Sequence, residues 1–391
     1  MTTLPALPNA RPADVGLCPN RTQRLMDVLR REVASGRLPG AVAMIVRQGQ
    51  IALFEAVGQQ DPGTGTPMQT DSIFRIYSMT KPVVSVAVMM LVERGQLLLS
   101  DPVSRWLPEY ANQQVATANG LAPVRQAATV QDLLRHTAGL TYEFLGDSAV
   151  QRQYAQVEIG SRERTNAEFS QTLAAVPLQF QPGSVWAYSR ATDVLGRLVE
   201  VVSGQGLGAF LQAEILGPLG MVDTGFSVPL AQQHRIAEPF AHDPDGGVPM
   251  KVLEPRQVPA MEGGGGGLMS TALDYTRFLQ CLRNKGELHG VRLLSPHTVD
   301  FMTADHLGNM PADGTLLPPG HGFGLGFAVR THLGLSPVPG SVGLYYWGGI
   351  AGTTFFVDPK LDMFAMLMVQ APNQRDYYRP LFRDLVYAAL I

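Results

Sequence analysis

Ser78 and Lys81 stand three residues apart in Ser78-Met79-Thr80-Lys81. A serine hydroxyl is a poor nucleophile until a neighbouring base takes its proton. On a helix, positions i and i+3 share a face, so the lysine amine can approach the hydroxyl. Burial lowers the pKa of a lysine and turns it into a base. A helix N-terminus adds backbone N–H groups and the positive end of the dipole near the reacting oxygen. The plain alternative is a serine N-cap followed by a first-turn lysine, although a cation opposes the dipole there. S-x-x-K is a serine-hydrolase signature, but four loosely specified positions also recur by chance, and the surrounding sequence has to decide.

That surrounding sequence carries a resemblance. Phe74-Arg75-Ile76-Tyr77-Ser78-Met79-Thr80-Lys81-Pro82 resembles the nucleophile segment of family VIII carboxylesterases, which are similar to class C β-lactamases and D-alanyl-D-alanine peptidases. Three further blocks follow in the family's order. Leu133-Leu134-Arg135-His136-Thr137-Ala138-Gly139-Leu140 resembles its L-L-x-H-T-x-G-L stretch, and Pro182 to Ser189 matches P-G-x-x-x-x-Y-S. Trp347-Gly348-Gly349 matches the W-G-G that these esterases carry where β-lactamases have K-T-G. The resemblance runs from about Leu25 to the C-terminus.

It implies an α+β, β-lactamase/penicillin-binding-protein-like fold: an antiparallel sheet flanked by helices, with an inserted, mostly helical subdomain. It also implies that Tyr188 works beside Lys81 as phenolate or proton relay, and that an adjacent ammonium can lower a tyrosine's pKa. By the family's arrangement the N–H groups of Ser78 and Ile350 form the oxyanion hole. Gly348 and Gly349 let the backbone approach the substrate, and Tyr142, just past the His-Thr-Ala-Gly-Leu block, lines the acyl pocket.

Two departures steer the chemistry. The β-lactamase pattern Y-x-N reads Tyr188-Ser189-Arg190 here, so the asparagine amide is missing. Trp347 replaces the K-T-G lysine, which removes a cation that would bind a substrate carboxylate and supplies a flat apolar wall suited to a neutral ester. The resemblance therefore implies a serine carboxylesterase acting on short-chain acyl esters. The alternatives are β-lactamase, D-Ala-D-Ala peptidase or acyltransferase activity on the same scaffold, and a binding module without catalysis.

Composition agrees. A net charge of −3 gives no reason to expect nucleic acid or an anionic membrane as partner. The expected partner is a small-molecule ester. Charged residues make up only 16%, against roughly 25% in typical domains, and the 41 Gly and 29 Pro suggest many turns and long loops. Cys18 and Cys281 are the only cysteines; a cysteine-built zinc site is excluded, and whether the two pair stays open. The eight histidines form no H-E-x-x-H pair, and no metal or other cofactor is expected. The run Gly263–Gly267 lacks the Lys-Ser/Thr of a phosphate-binding loop and reads as a flexible loop with Ser270 as helix cap. No G-x-S-x-G elbow accompanies His136, which reads as a structural hydrogen-bonder. The longest apolar run, Val83 to Val92, is short of the about 20 residues of a membrane span. The first 20 residues show no secretory pattern, so a cytoplasmic protein is expected.

The elements that must position these residues follow from pattern. Helices are expected from an Asn20 cap to Gly36, over Ser78–Arg94 (apolar nearly all round), Val130–Arg135, Ala191–Val202, Ala272–Arg283 and Tyr377–Leu390. Strands are expected at Ala41–Arg47 and Ile51–Val57, joined as a hairpin, at Ile73–Tyr77, and late at Tyr345–Trp347, Thr353–Val357 and Met363–Val369. Strands at both ends and helices between predict one catalytic unit over 1–391, with a sheet subdomain from 1–99 plus 291–391 and a helical subdomain from 100–290.

Overall fold

The computed structural model describes residues 5–247 and 249–391. Its central sheet has eight antiparallel strands drawn from both ends of the chain. In chain order these are β1 (Gly40–Arg47), β2 (Gln50–Asp61), β3 (Thr66–Pro67), β4 (His321–Phe323), β5 (Ala328–Arg330), β6 (Tyr345–Gly348), β7 (Thr354–Asp358) and β8 (Met363–Val369). Their order in space is β4-β5-β6-β7-β8-β1-β2-β3. The first and last parts of the chain meet where β1 pairs β8, Ala41 opposite Val369 and Arg47 opposite Met363.

β1 and β8 are apolar on both faces because both faces are covered. Successive side chains of a strand point to opposite sides. Ala41, Ala43 and Ile45, with Ala365 and Leu367, face a layer formed by α1 (Pro19–Ala34) and a C-terminal helix. Val42, Met44 and Val46, with Phe364, Met366 and Met368, face the opposite way into the larger core. That core continues into α2 (Thr80–Glu93), α3 (Ala191–Ser203) and α4 (Ala272–Arg283). The C-terminal helix is α5 (Arg375–Ala388).

α2 is the buried helix that its composition predicts: from Thr80 to Leu91 every side chain is buried. It packs against α3, while α4 lies on β1 and β8, where the Thr276 hydroxyl meets the Met44 sulfur. One hydrophobic cluster therefore runs from the sheet through α2 into the helical region. Among the described residues no single helix is long and apolar enough to cross a membrane.

Several sequence expectations need local correction. Cys18, not Asn20, is the N-cap of α1, because Pro19, with no N–H to satisfy, takes the first helical position. The strand expected at Ile73–Tyr77 is two residues, Phe74–Arg75, paired with Met269–Ser270. The helix does not begin at Ser78: a 3-10 turn, Tyr77–Met79, precedes Thr80. Both cysteines are free.

Candidate active site

Ser78 lines a cleft of about 580 Å³ whose wall includes residues of β6 and β7 and of the helical region. Tyr77 before it has φ 43°, a left-handed conformation that an aromatic residue rarely adopts. Such strain costs on the order of 1–3 kcal/mol and persists only where surrounding contacts impose it. Here the Leu253 N–H donates to the Tyr77 hydroxyl at 2.8 Å, and the Ile76 N–H donates to the Leu268 carbonyl. The kink delivers Ser78 to the cleft at the positive end of α2.

Lys81, one turn on, is 1% exposed. Its Nζ donates to Ser78 Oγ at 3.2 Å, to the Tyr142 hydroxyl at 2.9 Å and to the Gly265 carbonyl at 2.6 Å. It also lies 4.6 Å from the centroid of the Tyr188 ring. Loss of hydration on burial brings its pKa down to about 7; Asp193 opposes this and Arg190 adds to it. A lysine in that state can accept a proton at neutral pH.

Tyr188 arrives from the segment just before α3. Its hydroxyl accepts from the Trp347 indole N–H at 3.2 Å, and both Tyr188 and Ser78 line the cleft. The expectation that the neighbouring cation lowers its pKa is overturned. Burial raises it well above the ordinary value, and its polar neighbours Ser78 and Trp347 only partly offset this. Tyr188 is a phenol at neutral pH, and the group shifted into the working range is Lys81.

Trp347, next to last in β6, is more than an apolar wall, since its N–H fixes the Tyr188 hydroxyl while its ring packs against Tyr188 and Phe323. His136 lies beneath, buried and neutral, hydrogen-bonded to Ser189 at 3.1 Å. Gly348, Gly349 and Ile350 turn the chain from β6 towards β7. A Cβ on Gly349 would stand 2.4 Å from the Ile76 carbonyl oxygen and from Thr353 Oγ1, so the close approach admits glycine alone. The Ile350 N–H has no acceptor among the described residues and lies at the cleft.

Sequence reasoning gave Tyr142 a place on the pocket wall. It does line the cleft, and its hydroxyl also holds Lys81, with Arg190 stacked 4.8 Å from its ring centroid. Arg190, in the place of the β-lactamase asparagine, is held by Glu143 and by Asp193 at 3.5 Å. The glycine run, expected as a flexible loop, is packed against the head of α3. Asp193 Oδ1 accepts the Gly265 N–H at 2.8 Å, and a Cβ there would meet the same carboxylate at 2.6 Å. The cap of α4 is Thr271, not Ser270. Among the described residues no cluster of three metal-ligating side chains occurs.

Reasoning from sequence missed Asp193, the Gly265 carbonyl and the arginines of α5. The one signal available for the last was their spacing, Arg375, Arg379 and Arg383, four apart on a single helix.

A buried lysine on a serine at the head of a core helix, with an antiparallel sheet on one side and a helical layer on the other, defines a serine hydrolase of the β-lactamase and penicillin-binding-protein type. The chain belongs to the beta-lactamase family, whose model matches residues 25–388. It is 36% identical to esterase EstB of Burkholderia gladioli, over 99% of this chain and 100% of that one. It is 30% identical to a lovastatin esterase of Penicillium rubens, over 87% and 90%. The solved structure of EstCE1, described as a hydrolase with promiscuous acyltransferase activity, superposes with a TM-score of 0.82 at 29% identity, covering 94% of this chain and 98% of that one.

Proposed function

We propose that this chain is a carboxylic ester hydrolase working through an acyl-enzyme on Ser78. The observation that carries the reading is a buried lysine amine 3.2 Å from that hydroxyl, with its pKa brought down to about 7 so that an appreciable share is unprotonated at neutral pH. Lys81 takes the Ser78 proton as Oγ attacks the ester carbonyl, and the N–H groups of Ser78 and Ile350 receive the oxyanion. Donors of this kind are each worth about 10²–10³ in rate. As the tetrahedral intermediate collapses, the ester C–O bond breaks and the leaving oxygen takes the Tyr188 proton. The Lys81 ammonium then returns a proton to the phenolate. Water repeats the sequence on the acyl-enzyme, restoring Ser78 and releasing the acid. Short acyl groups are favoured by the family resemblance. Support for ester over lactam chemistry comes from the tryptophan at 347 and from relatives named as esterases.

The test is a p-nitrophenyl acyl-ester series beside a chromogenic cephalosporin, with Ser78→Ala as control. The expected outcome is turnover of the short esters, cephalosporin turnover lower by orders of magnitude, and loss of ester activity to background in Ser78→Ala. Full ester activity in that variant would remove Ser78 from the mechanism, and comparable cephalosporin turnover would restore the β-lactamase reading.

A further inference from the structure

Lys81 donates to two groups that no motif encodes, the Tyr142 hydroxyl and the Gly265 carbonyl. Both lead back to one side chain, Arg190. The Arg190 backbone N–H donates to the Thr141 carbonyl at 3.2 Å. Its guanidinium lies over the Tyr142 ring, 4.8 Å from the centroid. Nε and Nη2 fork onto the Glu143 carboxylate, with Nε 3.2 Å from Oε2. Three consecutive residues are thus gripped from one position, and the middle one carries the hydroxyl that holds the lysine.

The remaining nitrogen, Nη1, pairs with Asp193 Oδ2 at 3.5 Å. The other oxygen of that carboxylate accepts the Gly265 N–H, and the Gly265 carbonyl accepts from Lys81 Nζ. Arg190 therefore reaches Lys81 by two separate chains, one through an aromatic ring and one through a carboxylate. The Asp193 side chain is 3% exposed, and a carboxylate buried there without a partner would be costly. With Arg190 in place, the lysine sits beside a carboxylate that is already paired.

We propose that Arg190 is a positioning residue for Lys81: it clamps Tyr142 and Asp193, and its charge keeps the amine available as a base. The proposal rests on the reading of Lys81 as the base in ester hydrolysis. A cation disfavours a neighbouring ammonium and an anion favours it. Arg190 accordingly pushes the Lys81 pKa down, and Asp193 pushes it up. The other groups around the amine carry no charge at neutral pH: Ser78, Tyr142 and Tyr188 keep their protons, and His136 is neutral. On the sheet side Trp347 is uncharged, and Arg375, Arg379 and Arg383 of α5 lie along the cleft wall, where Arg379 acts on Tyr188. The exchange of the β-lactamase asparagine for Arg190, which costs an amide, thus gains a clamp on the base.

Two readouts test this on each variant: the pH dependence of kcat/KM for a neutral p-nitrophenyl ester, and an NMR titration of isotope-labelled lysine, which follows Lys81 without turnover. The lysines of the chain are Lys81, Lys251, Lys285 and Lys360, and Lys81 is the buried one. In Arg190→Gln both readouts should move upward by about 1 unit, the low end of the effect of a nearby charge. Turnover should fall about 10- to 100-fold, as for a catalytic group displaced by up to about 1 Å. Arg190→Lys keeps the charge without the planar fork, so the pKa returns towards the parent while most of the loss in kcat remains. Asp193→Asn still offers an oxygen to the Gly265 N–H and should move both readouts downward.

A Lys81 pKa left in place in folded Arg190→Gln, whatever its turnover, would overturn the proposal and leave the esterase reading standing. Parental kcat in that variant would overturn the clamp. If Arg190→Gln does not fold, Asp193→Asn decides: a downward shift supports the proposal, and a pKa unmoved or raised overturns it. If the parent turns over no ester, the esterase reading fails, and the NMR titration still decides whether Arg190 sets the charge of Lys81.

Discussion

A lysine ammonium taken out of water loses hydration that three hydrogen bonds replace only in part. Lys81 keeps bonds to Ser78, Tyr142 and the Gly265 carbonyl, and still its pKa drops to about 7. The same burial acts on the phenol of Tyr188 in the opposite sense, because there the charged form is the deprotonated one. The pair is thereby separated into a base and an acid at one pH. A base with a folded-state pKa near 7 is protonated and idle below it, so kcat/KM for a neutral ester should rise as pH increases through about 7. No descending limb should appear before pH 10, since Tyr188 keeps its proton. A profile flat between pH 6 and 8 would take Lys81 out of the base role. Tyr188→Phe should lower kcat by about 10²–10⁴, the range of general acid–base contributions. It should also cost about 1–3 kcal/mol of stability, because the buried Trp347 N–H loses its acceptor; steady-state kinetics and a urea melt read the two effects separately.

Elements place these groups, and the sequence discloses elements unevenly. β1 and β8 read as apolar runs because both faces of the sheet are covered, and α2 reads as buried because it is apolar all round. Ser78, Lys81, Tyr188 and Trp347 were legible because each sits in a contiguous motif. The partners of Lys81 were not: Tyr142 is 61 residues away and Gly265 is 184, and no local pattern encodes a contact that the fold makes at that range. The glycine run is the sharpest case. A run without side chains looks the same whether it is mobile or pressed against a neighbour, and here Asp193 at the head of α3 decides. Gly265→Ala sets a methyl against that carboxylate. Overpacking of this kind costs about 1–3 kcal/mol, and it displaces a carbonyl that holds Lys81. The expected outcome is a lower melting temperature with a disproportionate loss of kcat. Activity at the parental level in a normally folded Gly265→Ala would show that the carbonyl does not position the lysine.

At the scale of the whole molecule, the catalytic groups come from both parts of the chain. Ser78, Trp347 and Ile350 belong to the sheet-forming ends, while Tyr142, Tyr188 and Gly265 come from the span between 100 and 290. Opening between the two would separate Lys81 from Tyr142 and the Gly265 carbonyl. The packing opposes that opening. One hydrophobic cluster includes Met44 and Met366 on the sheet, Val84 and Val88 on α2, and Leu195 and Leu198 on α3, all with no exposed surface. A helix buried on every side cannot stay with one layer without stripping the other, so neither layer can unfold alone without exposing α2. We therefore expect the slowest backbone amides of β1, β8 and α3 to exchange with a common opening free energy, as members of one cooperative unit do. Native-state hydrogen exchange at low denaturant reads this directly. If the amides of α3 open at several kcal/mol below those of β8, the helical region is an independently stable subdomain docked on the sheet, and the site is assembled across an interface that breathes. A single shared value means that the geometry around Ser78 is lost only when the whole fold is lost.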